Sequence, residues 1–249
     1  MRRPQPIREW AGRGPRLAWA LPLALALAGG AVQATPVCVP LEPAGAVEPA
    51  PVQRCTEQQG SLRVQRSLSA SGALLDLQVF DAQGRLVRSE TLAGGRRIKR
   101  VYYPGGVQLR SETDLLERDP GAAPGREGVA REWAEAGQLT QETVWSSADA
   151  HSLTQWHLNG QVRLRQRSWR IARHQWRTSE TFHENGQPAA LNTERSGRLW
   201  GWQRYHDDAG RRLREDEHGE QGVLLQRRHF RPDGSLDREE RFTDDTSRL

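Results

Sequence analysis

An all-β chain, built as an elongated antiparallel sheet of about seven stacked β-hairpin repeats of roughly 22–26 residues, is predicted by three observations on the sequence. First, one phrase recurs: "TFHENGQPA" at 181–189, "RYHDDAGRR" at 204–212 and "HFRPDGSLD" at 229–237. Second, the strand-like stretches mix β-branched and apolar residues with charges, and no apolar stripe of helical length appears among them. Third, 36% hydrophobic residues and a mean hydropathy of −0.78 leave too little apolar surface for a large two-layer core.

Residues 1–34 read as a secretory signal, with a basic start, an apolar run "LAWALPLALALA" from Leu17 to Ala28, and small residues ending at Ala34. Twelve apolar residues interrupted by Pro22 fall short of the roughly 20 that span a bilayer, so cleavage after Ala34 is expected and no transmembrane span remains. The same segment holds most of the charge. It carries five arginines against Glu9, so the remaining chain has 31 basic and 30 acidic residues. A near-neutral mature chain argues against a nucleic-acid partner.

Residues 35–60 form a Pro-rich segment holding both cysteines, Cys38 and Cys55. In an exported protein two nearby cysteines without a C-x-x-C spacing or a neighbouring His predict a disulfide rather than a metal site. This also points to a periplasmic or secreted location.

The repeat domain is expected over 61–244, followed by a polar tail at 245–249. An aromatic residue precedes a glycine by four positions at Phe80/Gly84, Tyr102/Gly106, Trp133/Gly137, Trp156/Gly160, Phe182/Gly186 and Phe230/Gly234; Tyr205/Gly210 reads as the same phrase with one residue inserted. Successive glycines are 22, 31, 23, 26, 24 and 24 residues apart, and the long interval contains a Pro/Gly-rich surface loop at Asp119–Gly128. Asn159-Gly160, Asn185-Gly186 and Asp233-Gly234 predict tight type I′ hairpin turns. Each unit is therefore a hairpin that buries its apolar side only by pairing with its neighbours.

The units resemble the MORN-variant repeat family, whose pattern is an aromatic, a turn with Asn-Gly, a polar strand, and a second Gly-rich turn. "SGRLWGWQRYHDDAGRRL", Ser196 to Leu213, is the closest stretch, with Gly197, Gly201, Trp202, Tyr205 and Gly210 at the family's turn and strand positions. Many units lack the second glycine. The first half, "VFDAQGRLVRSET", is also similar to the Tyr-Asp repeats of large secreted shell-forming proteins. Both resemblances imply stacked hairpins; the first implies a binding role, often of antitoxin type, and the second a fragment of a toxin shell.

No enzymatic phrase is present, whether a nucleophile elbow, zinc-protease helix, phosphate loop, dinucleotide fingerprint or calcium loop, and no cofactor is expected. His157, His183 and His206 follow repeat aromatics and read as a surface row spaced too widely for one metal. Glu90, Glu112, Glu142, Glu215 and Glu239 recur after the turn glycines and read as cross-strand ion pairs, and "RRIKR" at Arg96–Arg100 as a solvated strand edge. Seven tryptophans remain after residue 34. Trp156, Trp200, Trp202 and Tyr205 are the candidate binding residues, because equivalent positions of a regular stack fall in rows and interface energy concentrates in Trp, Tyr and Arg. The expected function is a non-enzymatic, exported surface that binds or scaffolds a protein partner, antitoxin- or immunity-like, with an envelope glycan as a further ligand class. The alternative is an envelope enzyme that processes glycan or peptide in a groove formed by the repeats.

Overall fold

A computed structural model describes residues 35–41, 52–116 and 127–242. Residues 1–34, where the signal is expected, residues 42–51 of the Pro-rich segment, the greater part of the Asp119–Gly128 loop and the polar tail lie outside the described residues. Of the described residues 65% are strand and none is helical.

Eighteen strands follow one another. They are β1 (Val37–Pro40), β2 (Gln53–Gln59), β3 (Leu62–Leu68), β4 (Leu74–Phe80), β5 (Leu86–Ala93), β6 (Arg96–Tyr102), β7 (Leu109–Leu116), β8 (Gly128–Trp133) and β9 (Leu139–Trp145). The series continues with β10 (His151–Trp156), β11 (Val162–Ile171), β12 (His174–Phe182), β13 (Pro188–Arg195), β14 (Arg198–Leu199), β15 (Gly201–His206), β16 (Arg212–His218), β17 (Leu224–Phe230) and β18 (Leu236–Arg241). Each strand pairs antiparallel with the next, from β1–β2 through β17–β18, except that β13 pairs with both β14 and β15. Those two are a single strand position broken at Trp200. The result is one open antiparallel meander.

The two described stretches of the Pro-rich segment, residues 35–41 and 52–60, contribute β1 and β2 to this sheet. Cys38 and Cys55 are directly opposed partners of β1 and β2 and form the expected disulfide, which ties the first strand to the sheet. Gly128 opens β8 rather than closing a loop, and its backbone passes so near Asp114 that a Cβ would lie 2.1 Å from the Asp114 carbonyl oxygen.

The seven repeat glycines all lie on one edge of the sheet, hereafter the glycine edge. There the first residue of each turn donates its N–H to the carbonyl of the last, and the glycine donates back to the carbonyl of the first. Asp81 N to Arg85 O at 2.9 Å and Gly84 N to Asp81 O at 3.0 Å are one instance; His183 to Gln187 and Gly186 to His183, both at 2.9 Å, are another. The β6–β7 turn, one residue longer from Tyr103 to Gln108, has Gly105 at 122° as well as Gly106 at 74°; in the other six of the seven turns only the glycine has a positive φ. This is a type I turn closed by a glycine bulge, not the type I′ turn expected. A type I′ turn needs two residues at positive φ, which Gln83, Ala136 and Ala209 would resist in the position occupied elsewhere by Asn or Asp; the bulge asks it of glycine alone. Type I′ geometry occurs at the opposite edge, at Gly94-Gly95 with φ of 55° and 71° and at Ser196-Gly197 with 53° and 80°. The turn at 207–211 has the usual five residues, so nothing is inserted there: His206 fills the aromatic position, and Tyr205 precedes it.

Strand alternation gives the sheet two faces. On the first, called face A, one row crosses twelve strands in register, including Arg100–Glu112–Arg131–Glu142 on β6 to β9 and Arg204–Glu215–Arg228–Glu239 on β15 to β18. On face B the apolar residues gather at the N-terminal end, where Cys55, Val64, Leu75 and Leu77 are the buried hydrophobic residues of the described chain. Among the described residues no second layer covers either face, as the composition predicts.

Candidate functional site

Six of the seven tryptophans after residue 34 belong to face A. Register assigns Trp133, Trp156, Trp169, Trp176 and Trp202 to it, because each has the parity of the charged row on its own strand. Trp200, at the break between β14 and β15, packs edge-on against Trp176 with ring centroids 5.0 Å apart. Trp169 and Trp176 are directly opposed across β11 and β12. Trp202 is covered by the guanidinium of Arg228, 4.6 Å from the ring centroid. Trp169, Trp176, Trp200 and Trp202 thus form an aromatic patch toward the edge opposite the glycines, with Trp200 still 36% exposed.

The four expected binding residues do not meet on one surface. Trp200 and Trp202 belong to this patch. Trp156 shares their face but stands at the glycine edge, four strand steps or about 19 Å away. Tyr205 is on face B, paired with Ala190 and Arg214, and Arg214 stacks over its ring at 4.3 Å. The reason is local: residues three apart on a regular strand point to opposite faces. Trp169 and Trp176 are among the seven tryptophans counted in the sequence but not among the four candidates drawn from it. Their signal, "WRIARHQW", is a pair symmetric about a two-residue turn at Ala172-Arg173, hidden because Ala172 rather than glycine takes the positive φ of 51°.

The break that positions Trp200 is held open by one side chain. Gln203 is fully buried, accepts a hydrogen bond from Thr193 N at 2.7 Å through Oε1, and donates through Nε2 to the carbonyls of Thr193, Trp200 and Gly201 at 3.3, 2.9 and 3.1 Å. It replaces the backbone pairing lost where the strand is interrupted. Trp200 is fixed by its own N–H, which donates to Thr193 O at 2.9 Å.

The histidines have a structural role at the glycine edge. His157 Nε2 meets the Phe182 carbonyl at 3.1 Å and His183 Nε2 the His206 carbonyl at 3.3 Å, each joining its turn to the next. Only a carbonyl-facing N–H can make this contact, so both rings carry the proton on Nε2. Asn159 Nδ2 donates to Glu184 O at 2.7 Å and Asn185 Nδ2 to Asp208 O at 2.5 Å in the same direction. Tyr103 does the work of the histidines two units before His157, donating to Trp133 O at 2.8 Å. His206 is different in kind: it fills an aromatic position, its buried Nδ1 has no partner, and burial, aided by Arg212 and Arg204, lowers its pKa.

The recurrent acids form ion pairs. Glu112 lies 2.8 Å from Arg100 and 3.7 Å from Arg131, and Glu142 lies 2.8 Å from Arg131. Glu90 departs from the series by pointing to face B, where it is 7% exposed and pairs with Arg97, Arg88 and Lys99. Burial alone would raise its pKa; the hydrogen bonds from Arg97 and Arg88 and the nearby cations outweigh it and hold the carboxyl below its ordinary value. The run Arg96–Arg100 is an interior strand, β6, rather than an edge, and Arg96, Arg97, Lys99 and Arg100 all have carboxylate partners. Alternating charge across a sheet cancels its own field, so this face does not present a cationic track. Among the described residues no group of three or more His, Cys, Asp or Glu is arranged to hold a metal ion. No helix of the described residues is long and apolar enough to cross a membrane.

A shallow cleft of about 620 Å³ opens at the glycine edge between the β8–β9 and β10–β11 turns, bordered by Trp156. No family model and no curated protein matches the chain.

Proposed function

We propose that the protein is an exported, non-enzymatic repeat protein of MORN-variant type, whose face A docks a protein partner in the periplasm or cell envelope in an antitoxin- or immunity-like manner. The observation that carries this reading is the patch of Trp169, Trp176, Trp200 and Trp202 on an uncovered sheet face. A sheet with no second layer has no internal use for four clustered tryptophans on one side, whereas interface cores are enriched in tryptophan and arginine. The ion-pair row beside the patch supplies a polar margin that fixes register with a partner more than it adds affinity. Export rests on the signal-like residues 1–34 and fits the Cys38–Cys55 disulfide, which an oxidising compartment preserves.

The test is capture from an envelope extract by residues 35–249, followed by calorimetry with the captured protein. Trp200→Ala is expected to weaken that affinity by at least about 2 kcal/mol, as truncation of an interface anchor does. Retention of full affinity by a folded Trp200→Ala chain, or hydrolysis of cell-wall material by the purified protein, would overturn the proposal.

A further inference from the structure

The geometry points to an interface with a second copy of this chain: β18, the terminal strand of the sheet, pairs antiparallel with its own copy about a two-fold axis through Glu239. Among the described residues β18 has a neighbouring strand on one side alone, β17. Phe242 donates its N–H to Leu225 O at 2.8 Å, and an antiparallel ladder alternates. Arg238 and Glu240 therefore also bond to β17, while Glu239 and Arg241 turn their N–H and C=O groups away from it. Unpaired groups in a row are a template for another strand. The strand at the other end of the sheet is a poor template. Leu41 N bonds to Val52 O, so in the same ladder Cys38 and Pro40 face outward, and Pro40 has no N–H to give. β1 has four residues, whereas β18 has six and no proline.

The charges of β18 select the partner. Every residue of "LDREER" after Leu236 is charged, and a terminal strand of this kind repels most others. Set antiparallel against itself, it matches. With Glu239 on the axis, Asp237 stands opposite Arg241 of the second copy on face A, and Arg238 stands opposite Glu240 of the second copy on face B, each pair occurring twice. The single like pair, Glu239 with its own mate, is balanced within each copy by Arg228 Nε at 3.0 Å. Because outward-facing groups must meet, the neighbouring registers are two. One sets Asp237 against Glu239 and Arg238 against Arg238; the other sets Glu240 against Glu240 and Arg238 against Phe242. Interior acids show what β18 lacks: Glu112 has Arg100 on one flanking strand and Arg131 on the other. On β18 the charges turn instead to their own strand, Arg238 to Glu240 at 2.8 Å and Arg241 to Glu239 at 3.1 Å. Such exposed pairs contribute little and exchange readily for pairs across the axis. The two-fold axis is normal to the sheet, so face A of one copy continues into face A of the other. The pairing does not depend on the protein-docking reading.

The measurement is sedimentation velocity of oxidised residues 35–249 over a concentration series reaching several times the expected Kd. A reversible dimer is expected, with a Kd on the order of 10–100 µM, as suits a small interface. Glu239→Pro removes an outward N–H and no bond to β17, so it should give a monomer throughout the series with an unchanged circular dichroism spectrum. Arg238→Glu places like charges opposite each other twice and should weaken the dimer at least about tenfold. Adding Glu240→Arg to Arg238→Glu lets opposite charges meet again, and should restore the parent Kd to within about threefold. A parent chain that stays monomeric throughout the series, a dimer undiminished by Glu239→Pro, or a double variant as weak as Arg238→Glu would each overturn the proposal.

Discussion

Gln203 is the residue on which the local geometry of the tryptophan patch turns. Its amide makes four hydrogen bonds to the backbone around the strand break, so a same-sized apolar replacement removes all four from a buried site. Gln203→Leu is expected to cost about 2–4 kcal/mol in chemical denaturation, and to shift the near-ultraviolet dichroism that the Trp176–Trp200 contact produces. Titration gives a second expectation at this scale. Burial lowers the pKa of His151, His206 and His218, with Arg177 adding to the effect at His151. A group depressed in the folded state binds protons more readily when unfolded, so its contribution is complete above the unfolded value of about 6.5 and is lost as pH falls toward the folded value. The melting temperature should therefore decline as pH drops below about 6.5, before the carboxylates titrate. His206→Phe, which restores the aromatic present at the other six units, should flatten part of that decline. An unchanged slope in this variant would contradict the assignment.

The hairpin is the element that repeats, and its glycine turn was largely legible in the sequence. All seven glycines mark real turns at one edge, because a position demanding positive φ selects glycine whatever surrounds it. The turn type was not legible, since Asn-Gly and Asp-Gly serve a type I′ turn and a bulged type I turn alike. The opposite edge was harder still: Ala172-Arg173 turns without a glycine, and Gln203 replaces backbone hydrogen bonds with no local motif to announce it. Pairing of Cys38 with Cys55 could be read from composition and compartment, whereas their place within the main sheet depended on strand pairing that sequence does not encode locally. Turn-to-turn contacts add a predictable increment to each unit. Asn185→Ala removes the bond to Asp208 O and the bond that Gln187 N donates to Asn185 Oδ1, and should lower stability by about 1–2 kcal/mol. Ala136→Asn, adding such a contact where none exists, should raise it. Equal melting temperatures for both variants and the parent would remove the turn series from the account of stability.

At the scale of the whole molecule, stability is distributed along one sheet, and the apolar core is small and confined to its N-terminal strands. Reducing the Cys38–Cys55 disulfide should free β1 first, so hydrogen exchange is expected to quicken at Cys38 and Val39 while β12 and β13 keep their protection. Uniform acceleration over all strands would mean that the sheet unfolds as one cooperative unit. Function, on this account, follows from the two faces being chemically unlike: face A carries the tryptophan patch and the alternating ion-pair row, and face B carries Tyr205 with Arg214. Trp202 and Tyr205 are three residues apart on the same strand and point to opposite sides. The affinity of the captured partner for Trp202→Ala and for Tyr205→Ala, each verified as folded, is therefore the most direct test. A loss of about 2 kcal/mol or more for Trp202→Ala with affinity retained by Tyr205→Ala is the predicted result; loss for Tyr205→Ala alone would contradict the assignment of function to the tryptophan face.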